Sequence, residues 1–320
     1  MWRLKDGAGA VNLKQDGAPA REVTLLGGTE VTIAGRTMIA ESPRTVGLQA
    51  LCSRLLGWSD ERIGTVDHAL RAIRLASSGR AVLILRGRGD LVPIAFAIHR
   101  HVLGDDAPFV VSDPRRENTP ATVRGPANVQ RGMRAVRKGF GGSICVRAER
   151  LPQEFDNILK TFREPESGVR LLICVGKSAR TALFLGATPI DIPSLETREK
   201  ELARIISEYA EDAIDFLCAP RTCLSPQDLE WVAQLPKLTI PEIEKALRRI
   251  VAMRISRNIS SAANKLGMTS VSLTRWLARR TLLKDGALYA PQPRSWVPHD
   301  EDRAASCNQV GAPRASQVPG

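Results

Sequence analysis

The sequence predicts an α/β protein with a parallel sheet, followed by a pair of short helices near its carboxyl end. The continuous apolar run at residues 81–85 is typical of a strand buried in a parallel sheet, and a further short strand is predicted at 143–146. Segments of helical period alternate with these runs, as the crossover connections of such a sheet require. Further along, apolar residues recur at three- and four-residue steps on both sides of Gly267, which predicts two helices joined by a tight turn.

The chain is expected to divide into five regions. Residues 1–38 form an amino-terminal segment, in which Gly27 and Gly28 separate two strand-like runs and predict a two-residue β-hairpin. Residues 39–190 form the α/β domain, 191–240 a helical segment and 241–285 the basic helix pair; 286–320 are polar and proline-rich and are expected to be disordered. Within the α/β domain the strands are predicted at 81–85, 109–111, 143–146 and 170–175, with helices at 43–56, 60–76, 95–101 and 152–162.

The helix pair has a clear division into buried and exposed positions. Its first helix places Ile259, Ala262, Ala263 and Leu266 on one apolar face, and Gly267 can adopt the left-handed conformation that ends a helix. Thr269 is a suitable N-cap for the second helix, whose buried face is expected to carry Leu273 and Leu277. The expected outward-facing residues are Ser270, Ser272, Thr274, Arg275, Arg279 and Arg280.

Positive charge is concentrated in this part of the chain. Ten Lys or Arg and no Asp or Glu lie between Lys245 and Lys284, against a net charge of +12 for the whole chain. A helix pair with a localised basic face suits a helix-turn-helix that inserts its second helix into the DNA major groove, because phosphate neutralisation supplies most non-specific affinity. The alternative is a basic helical hairpin with a solvated face. Few aromatic residues, 4% of the chain, argue against a protein that stacks single-stranded bases.

Other compositional signals are weak. The six cysteines are scattered; Cys145 and Cys174 lie in strand-like runs and are expected to be buried thiols, and Cys218 and Cys223 form a lone pair. Since a zinc site needs about four ligands, no metal is expected, and no disulfide framework is indicated. No apolar leader or spanning segment is visible, which predicts a cytoplasmic protein that does not contact membranes.

The helix pair resembles the Fis-type helix-turn-helix that closes the bacterial sigma-54-dependent activators. The matching residues are Asn258, Ala262, Ala263, Leu266, Gly267, Met268, Thr269, Leu273, Arg275 and Leu277. The sequence departs from the family at Ser270 and Trp276, where basic residues are usual. The resemblance implies double-stranded DNA as partner, with contacts from Arg257, Lys265, Thr269, Ser270, Ser272, Arg275, Arg279 and Arg280. It also implies a homodimer paired through the preceding helix, with Leu247, Ile250, Val251 and Arg254 at the seam; alternatively these side chains pack only within their own chain.

The α/β region resembles the AAA+ domain of the same activators. The similar segments, in chain order, are 39–43, 82–84, 95–99, 108–110, 141–146 followed by 151–152, and 192–195 with Arg198, so that residues 191–240 take the place of the helical lid. The catalytic groups differ. The phosphate-binding turn reads Arg86, Gly87, Arg88, Gly89, Asp90, without the Lys and hydroxyl of a P-loop, and the Walker B acids are replaced by Arg147 and Ala148.

These observations predict a DNA-binding transcriptional regulator whose AAA+-like domain has lost ATPase activity, with no cofactor. Arg86, Gly87, Arg88 and Gly89 would form an ordinary strand-to-helix turn or, alternatively, a residual anion site at a helix N-terminus. Two other functions remain open: an active ATPase acting on the sigma-54 holoenzyme, and a protein that joins an intact sigma-54 activator paralogue, with RNA polymerase as a further possible partner. No segment between Asp113 and Gly141 matches the family's sigma-contacting loop.

Overall fold

The chain divides into two compact units. The computed structural model describes residues 2–5, 14–15, 18–20, 22–25, 30–39, 42–79, 81–122, 125–164, 167–176, 187–236 and 238–279. The α/β unit comprises Met1–Pro120 with Pro126–Pro193, and the helical unit comprises Ala121–Gly125 with Ser194–Gly320. The predicted lid and the predicted helix pair thus fall in one unit. The predicted disordered tail, 286–320, lies outside the described residues.

The secondary structure alternates between strands and helices in the α/β unit and is helical afterwards. The strands are β1 (Trp2–Lys5), β2 (Lys14–Gln15), β3 (Ala18–Pro19), β4 (Glu22–Leu25), β5 (Glu30–Ile33), β6 (Arg36–Ile39), β7 (Leu83–Gly87), β8 (Phe109–Ser112), β9 (Ala127–Asn128), β10 (Ser143–Arg147), β11 (Arg170–Gly176) and β12 (Ile190–Asp191). The helices are α1 (Pro43–Leu56), α2 (Ile63–Ser77), α3 (Val92–Leu103), α4 (Gly132–Lys138), α5 (Phe155–Arg163), α6 (Leu202–Phe216), α7 (Pro226–Ala233), α8 (Ile240–Arg254), α9 (Ile259–Lys265) and α10 (Ser270–Arg279).

A six-stranded parallel sheet forms the centre of the α/β unit, in the order β12-β7-β11-β10-β8-β9. The four predicted strands correspond to β7, β8, β10 and β11, so the prediction of a parallel α/β core is confirmed. Their apolar runs are buried, as expected for strands covered on both faces. The edge strands β9 and β12 have two residues each, which is too short to give a sequence signal.

Helices cover both faces of this sheet. Side chains of α4 and α5 pack on the face that carries Ile144, Val146 and Ile173. On the opposite face, α2 and α3 lie against Leu83 and Leu172. Among the described helices before β12, only α4 has no counterpart in the sequence prediction. It has seven residues, and Arg131 at its N-cap makes no side-chain capping hydrogen bond, so neither periodicity nor a cap marks it in the sequence.

The amino-terminal strands form two small antiparallel sheets, β1-β4 and β3-β2-β5-β6. The predicted hairpin between β4 and β5 is wrong, since β4 pairs with β1 whereas β5 pairs with β2 and β6. Gly27 and Gly28 themselves lie outside the described residues. The hairpin that forms joins β5 to β6 through Ala34 and Gly35, both with positive φ (49° and 77°). Two such residues make the primed turn that matches strand twist.

The helical unit is built around α8. Its side chains Leu247 and Val251 are fully buried and Ile250 nearly so, and α8 packs mainly on α6, with further contacts to α7 and α9. These residues were expected at a dimer seam, but they belong to the interior of their own chain. Arg254, the fourth expected seam residue, pairs with the buried Asp228 of α7 at 2.7 Å. The described residues contain no helix long and apolar enough to cross a membrane.

Candidate functional site

A rigid turn joins α9 to α10. Asn258 caps the start of α9 by accepting a hydrogen bond from the Ser261 amide at 2.8 Å. At the other end Gly267 has φ of +60°, the left-handed conformation that the sequence predicted. The Gly267 amide donates to the Asn264 carbonyl and the Met268 amide to the Ala263 carbonyl, both at 2.9 Å. This double hydrogen bond is the Schellman motif, so the direction of the chain leaving α9 is fixed.

The start of α10 is capped as predicted. The Ser272 amide donates to the Thr269 hydroxyl oxygen at 3.2 Å, and the same hydroxyl donates to the Ser272 side chain at 2.8 Å. Ser272 and Ser270 are both half-buried. Thr269 and Ser272 therefore use their polar groups largely in starting the helix, which leaves less of them for contacts with a partner.

The buried face of α10 differs in part from the prediction. Leu273 is fully buried, as predicted, in a cluster with Ala262, Ala263 and Met268, whereas Leu277 is only partly buried. Trp276 is also buried, at 7% exposure, with its ring edge-on to Trp231 at 5.9 Å. Its place in the core follows from its position three residues after Leu273, a spacing that the sequence analysis overlooked.

The first residue of α9 also departs from the prediction. Ile259 was expected on the apolar face, but it is 39% exposed.

The exposed face of α10 is basic. Arg275 and Arg279 are exposed, as are Arg257 and Lys265 on and before α9, and within the described part of the chain none of the four has a carboxylate partner. Arg280 lies outside the described residues. Val271, 63% exposed, and Thr274 lie on the same outward face. Val271 was not among the predicted contact residues, although its position off the buried stripe is a signal for exposure.

The acid-free basic stretch does not act as one surface. Acidic residues from outside it pair with several of its cations: Glu242 with Lys245 at 3.4 Å, and Glu244 with Arg248 at 2.6 Å. Arg249 lies over the Trp276 ring at 4.6 Å, and Arg254 pairs with Asp228. These four cations of α8 are engaged in the structure of the helical unit. Among the described residues of this stretch, the unpaired charge is therefore concentrated on α9, α10 and the residue Arg257 before them.

A separate group of charged residues fills the carboxyl edge of the parallel sheet. Arg147, at the end of β10, donates to the Asp90 carboxylate at 2.9 Å and to the Asp113 carboxylate at 3.1 Å. Asp113, fully buried at the end of β8, also accepts from Arg150 at 3.3 Å and from the Arg115 amide at 3.0 Å. Burial disfavours the charged form of Arg147, but the neighbouring carboxylates, Asp90 foremost, outweigh it and raise the pKa of the guanidinium.

The turn after β7 forms part of the same group. Asp90 accepts a hydrogen bond from the Val92 amide at 3.2 Å and so occupies a donor at the start of α3. Arg86 pairs with Asp191 of β12, and Arg88 and Gly89 are exposed. A Cβ on Gly87 would lie 3.2 Å from Ile192, so this part of the turn is closely packed. The four residues predicted as a degenerate nucleotide site thus share a turn, but Arg86 is directed to an internal carboxylate.

The α/β unit also contains a buried histidine and two buried cysteines. His99 is buried; one ring nitrogen lies 2.8 Å from the Ser143 hydroxyl and the other 3.0 Å from the Ala107 carbonyl, and burial lowers its pKa. Both ring nitrogens of this core histidine therefore have hydrogen-bonding partners. Cys145 and Cys174 are buried thiols, as predicted, with their sulfurs 3.6 Å apart. The described residues contain no group of three or more side chains placed to bind a metal.

Comparisons with known proteins give little beyond the geometry. No protein-family model and no curated protein sequence matches the chain. Among solved structures, the chain is similar to NtrX from Brucella abortus at 15% identity, with 74% of this chain and 72% of that chain covered and a TM-score of 0.38. Similarity at this level assigns neither a fold nor a function.

Arg147→Met is expected to destabilise the α/β unit strongly. The change leaves the buried Asp113 with less compensation and Asp90 without its cation, and breaking a buried pair costs about 3–5 kcal/mol. Arg150→Met is the matched control, because this half-exposed side chain contacts the same carboxylate and its removal should cost less than about 1 kcal/mol. Urea unfolding of both variants measures the difference. Equal destabilisation would show that Arg147 is not the central cation.

Proposed function

We propose that this protein is a sequence-specific DNA-binding transcriptional regulator in which α9 and α10 form a helix-turn-helix of Fis type. The observation that carries the proposal is the outward face of α10, where Arg275 and Arg279 are exposed and unpaired among the described residues while Leu273 and Trp276 anchor the opposite face. A short helix held in this way can enter the major groove. The tight turn and caps of α9 and α10 support a fixed docking geometry.

The exposed residues divide into two groups by their reach and chemistry. Arg275 lies in the middle of the outward face, where its guanidinium can make two parallel hydrogen bonds to guanine or to phosphate. Beside it, Val271 presents an apolar surface that suits a thymine methyl group. Arg257, Lys265 and Arg279 lie towards the ends of the helices and are suited to phosphate contacts, which position the module without reading sequence.

Arg275→Ala and Arg279→Ala should weaken DNA binding in different ways. Removal of a base contact at Arg275 should cost about 1–3 kcal/mol on the preferred duplex and much less on scrambled DNA. Removal of a phosphate contact at Arg279 should weaken binding to both duplexes equally. It should also lower the slope of log affinity against log salt concentration by about one unit. Once the melting temperature of each variant has been checked, the wild-type protein and both variants are titrated with each duplex at several salt concentrations.

Arg221→Ala provides the control, since this exposed arginine of the helical unit lies outside α9 and α10. It should leave the affinities nearly unchanged. If the wild-type protein shows no salt-dependent binding to any duplex, the helix-turn-helix proposal is wrong.

The proposal includes an AAA+-like α/β unit without ATPase activity that acts as a scaffold or an effector-sensing domain. Its support is the ion pair between Asp90 and Arg147. In the family resembled by the sequence, these positions belong to the phosphate-binding turn and to the acids that hold Mg²⁺. Here they carry a carboxylate and a guanidinium that neutralise each other 2.9 Å apart. Phosphoryl transfer depends on cations at the phosphates and carboxylates at the metal, and this pair reverses both charges.

Purified protein is expected to hydrolyse ATP no faster than buffer, because the developing charge on the γ-phosphate would lack its stabilising groups. Phosphate release over hours, with and without duplex DNA, is the measurement. A Gly89→Val variant serves as the reference for contaminating activity, since its change lies in the phosphate-binding turn. Turnover that persists after repurification and is abolished in this variant would establish an active ATPase.

A homodimer completes the proposal, because helix-turn-helix proteins commonly bind paired half-sites about 34 Å apart. The seam would have to use exposed residues of the helical unit, since Leu247, Ile250 and Val251 are buried. Light scattering should give twice the chain mass, or should do so when a two-site duplex is added. A strict monomer under both conditions would contradict dimerisation.

A further inference from the structure

The α/β unit contains a second stretch without acidic residues. Between Glu117 and Glu149 the chain has no Asp or Glu, and it carries six Lys or Arg. Arg147 belongs to the buried ion pairs described above, and Arg124 lies outside the described residues. The other four are clustered at α4: Arg131, Arg134, Arg137 and Lys138. This cluster belongs to the α/β unit, whereas α10 belongs to the helical unit.

The apolar side of α4 is fixed to the α/β core. Ala135 is fully buried and Val136 nearly so, in the cluster that covers the sheet. A Cβ on Gly132 would lie 2.7 Å from the Ile158 side chain of α5, so the two helices approach closely at this glycine. The Glu154 carboxylate accepts a hydrogen bond from the Met133 amide at 3.1 Å and stabilises the start of the helix. These contacts determine which side of α4 faces outward.

That outward side is uniformly basic. All four cations are exposed, and at 3.6 residues per turn they fall within about 120° of the helix circumference. None of them has a carboxylate partner within the part of the chain that the structure describes. Arg134 is three residues from Arg131 and from Arg137 and four from Lys138, spacings at which like charges destabilise a helix. The arrangement costs stability in the free protein, and a bound polyanion would reverse that cost.

We propose that this α4 face binds the phosphate backbone of double-stranded DNA, as a second contact surface in addition to α10. The proposal rests on the DNA-binding function proposed above. The chemistry of the face favours DNA over an acidic protein. Protein interfaces are usually centred on buried apolar or aromatic anchors, whereas phosphate contacts need cations alone. Phe140, 66% exposed, is the exposed large apolar side chain nearest along the chain to these four cations, and it lies beyond the end of α4.

The neighbouring helix α5 belongs to the same unit but does not have a uniformly basic exposed face. Its exposed positions mix signs, with Asp156 against Lys160 and Arg163. The cations of α5 are therefore suitable for a control that removes charge without touching the α4 face.

The test compares two triple variants of the full chain. The first is Arg134→Gln with Arg137→Gln and Lys138→Gln, which removes three charges from the α4 face. The control is Arg74→Gln with Lys160→Gln and Arg163→Gln, which removes three exposed charges from α2 and α5. Each protein is titrated with a preferred and a scrambled duplex over a range of salt concentrations, after circular dichroism has confirmed folding.

The α4 variant is expected to lower the slope of log affinity against log salt by about 2.7 units, because each neutralised phosphate contributes about 0.9 to that slope. The reduction should be the same on both duplexes, because phosphate contacts carry no sequence information. The control should lower the slope by less than about one unit, through long-range charge alone. If the triple variant is unstable, Arg137→Gln alone should give a reduction of about 0.9.

Equal slopes for the α4 variant and its control, with salt-dependent binding by the wild type, would overturn this inference and leave the proposed function intact. In that case the partner of the α4 face would be an acidic protein surface and not DNA. Absence of salt-dependent binding by the wild type would remove the proposed function and this inference together.

Discussion

Arg147 holds together the edge of the sheet where open α/β proteins usually bind their ligands. Its guanidinium bridges Asp90, in the turn that starts α3, and Asp113, at the end of β8, while Arg147 itself ends β10. Three strand ends are thereby joined by charges that the chain supplies. Two carboxylates at this edge would repel each other without a cation between them. Arg147, whose side chain is only 13% exposed, contacts both carboxylates, whereas Arg150 and Arg116 contact Asp113 alone, so the order of these loops depends mainly on Arg147.

Charged residues occur in two different settings in this chain. At the sheet edge every described partner is internal, so that the cations and carboxylates stabilise the fold. On α10 and α4 the cations have no carboxylate partner among the described residues, and the apolar sides of these helices are buried. Because the apolar side of each helix is packed against its own unit, the cations on the other side have a defined direction. Little conformational entropy would therefore be lost when a partner binds them. A flexible basic tail of the same net charge would lack that direction.

Much of the architecture could be predicted from local sequence because its signals are strong. The runs that form β7, β8, β10 and β11 are apolar enough to indicate buried parallel strands, and Gly267 and Thr269 have roles that only a few residue types can fill. Short elements that lack such signals, such as β9, β12 and α4, were missed because periodicity alone needs more length. Contacts between residues distant in sequence could not be predicted, because only the fold brings Arg147 to Asp90 and Trp276 to Trp231. For the same reason the sequence did not show that the α8 residues expected at a dimer seam are buried within their own chain.

The position of Trp276 has a mechanical consequence. Its ring is held between Trp231 of α7 and Arg249 of α8, so α10 cannot tilt relative to those helices without separating the two indoles. The outward face of α10 thus turns together with the body of the helical unit. A small rotation of α7 or α8 would therefore also rotate α10, and the guanidinium at the tip of Arg275 would move further than its backbone.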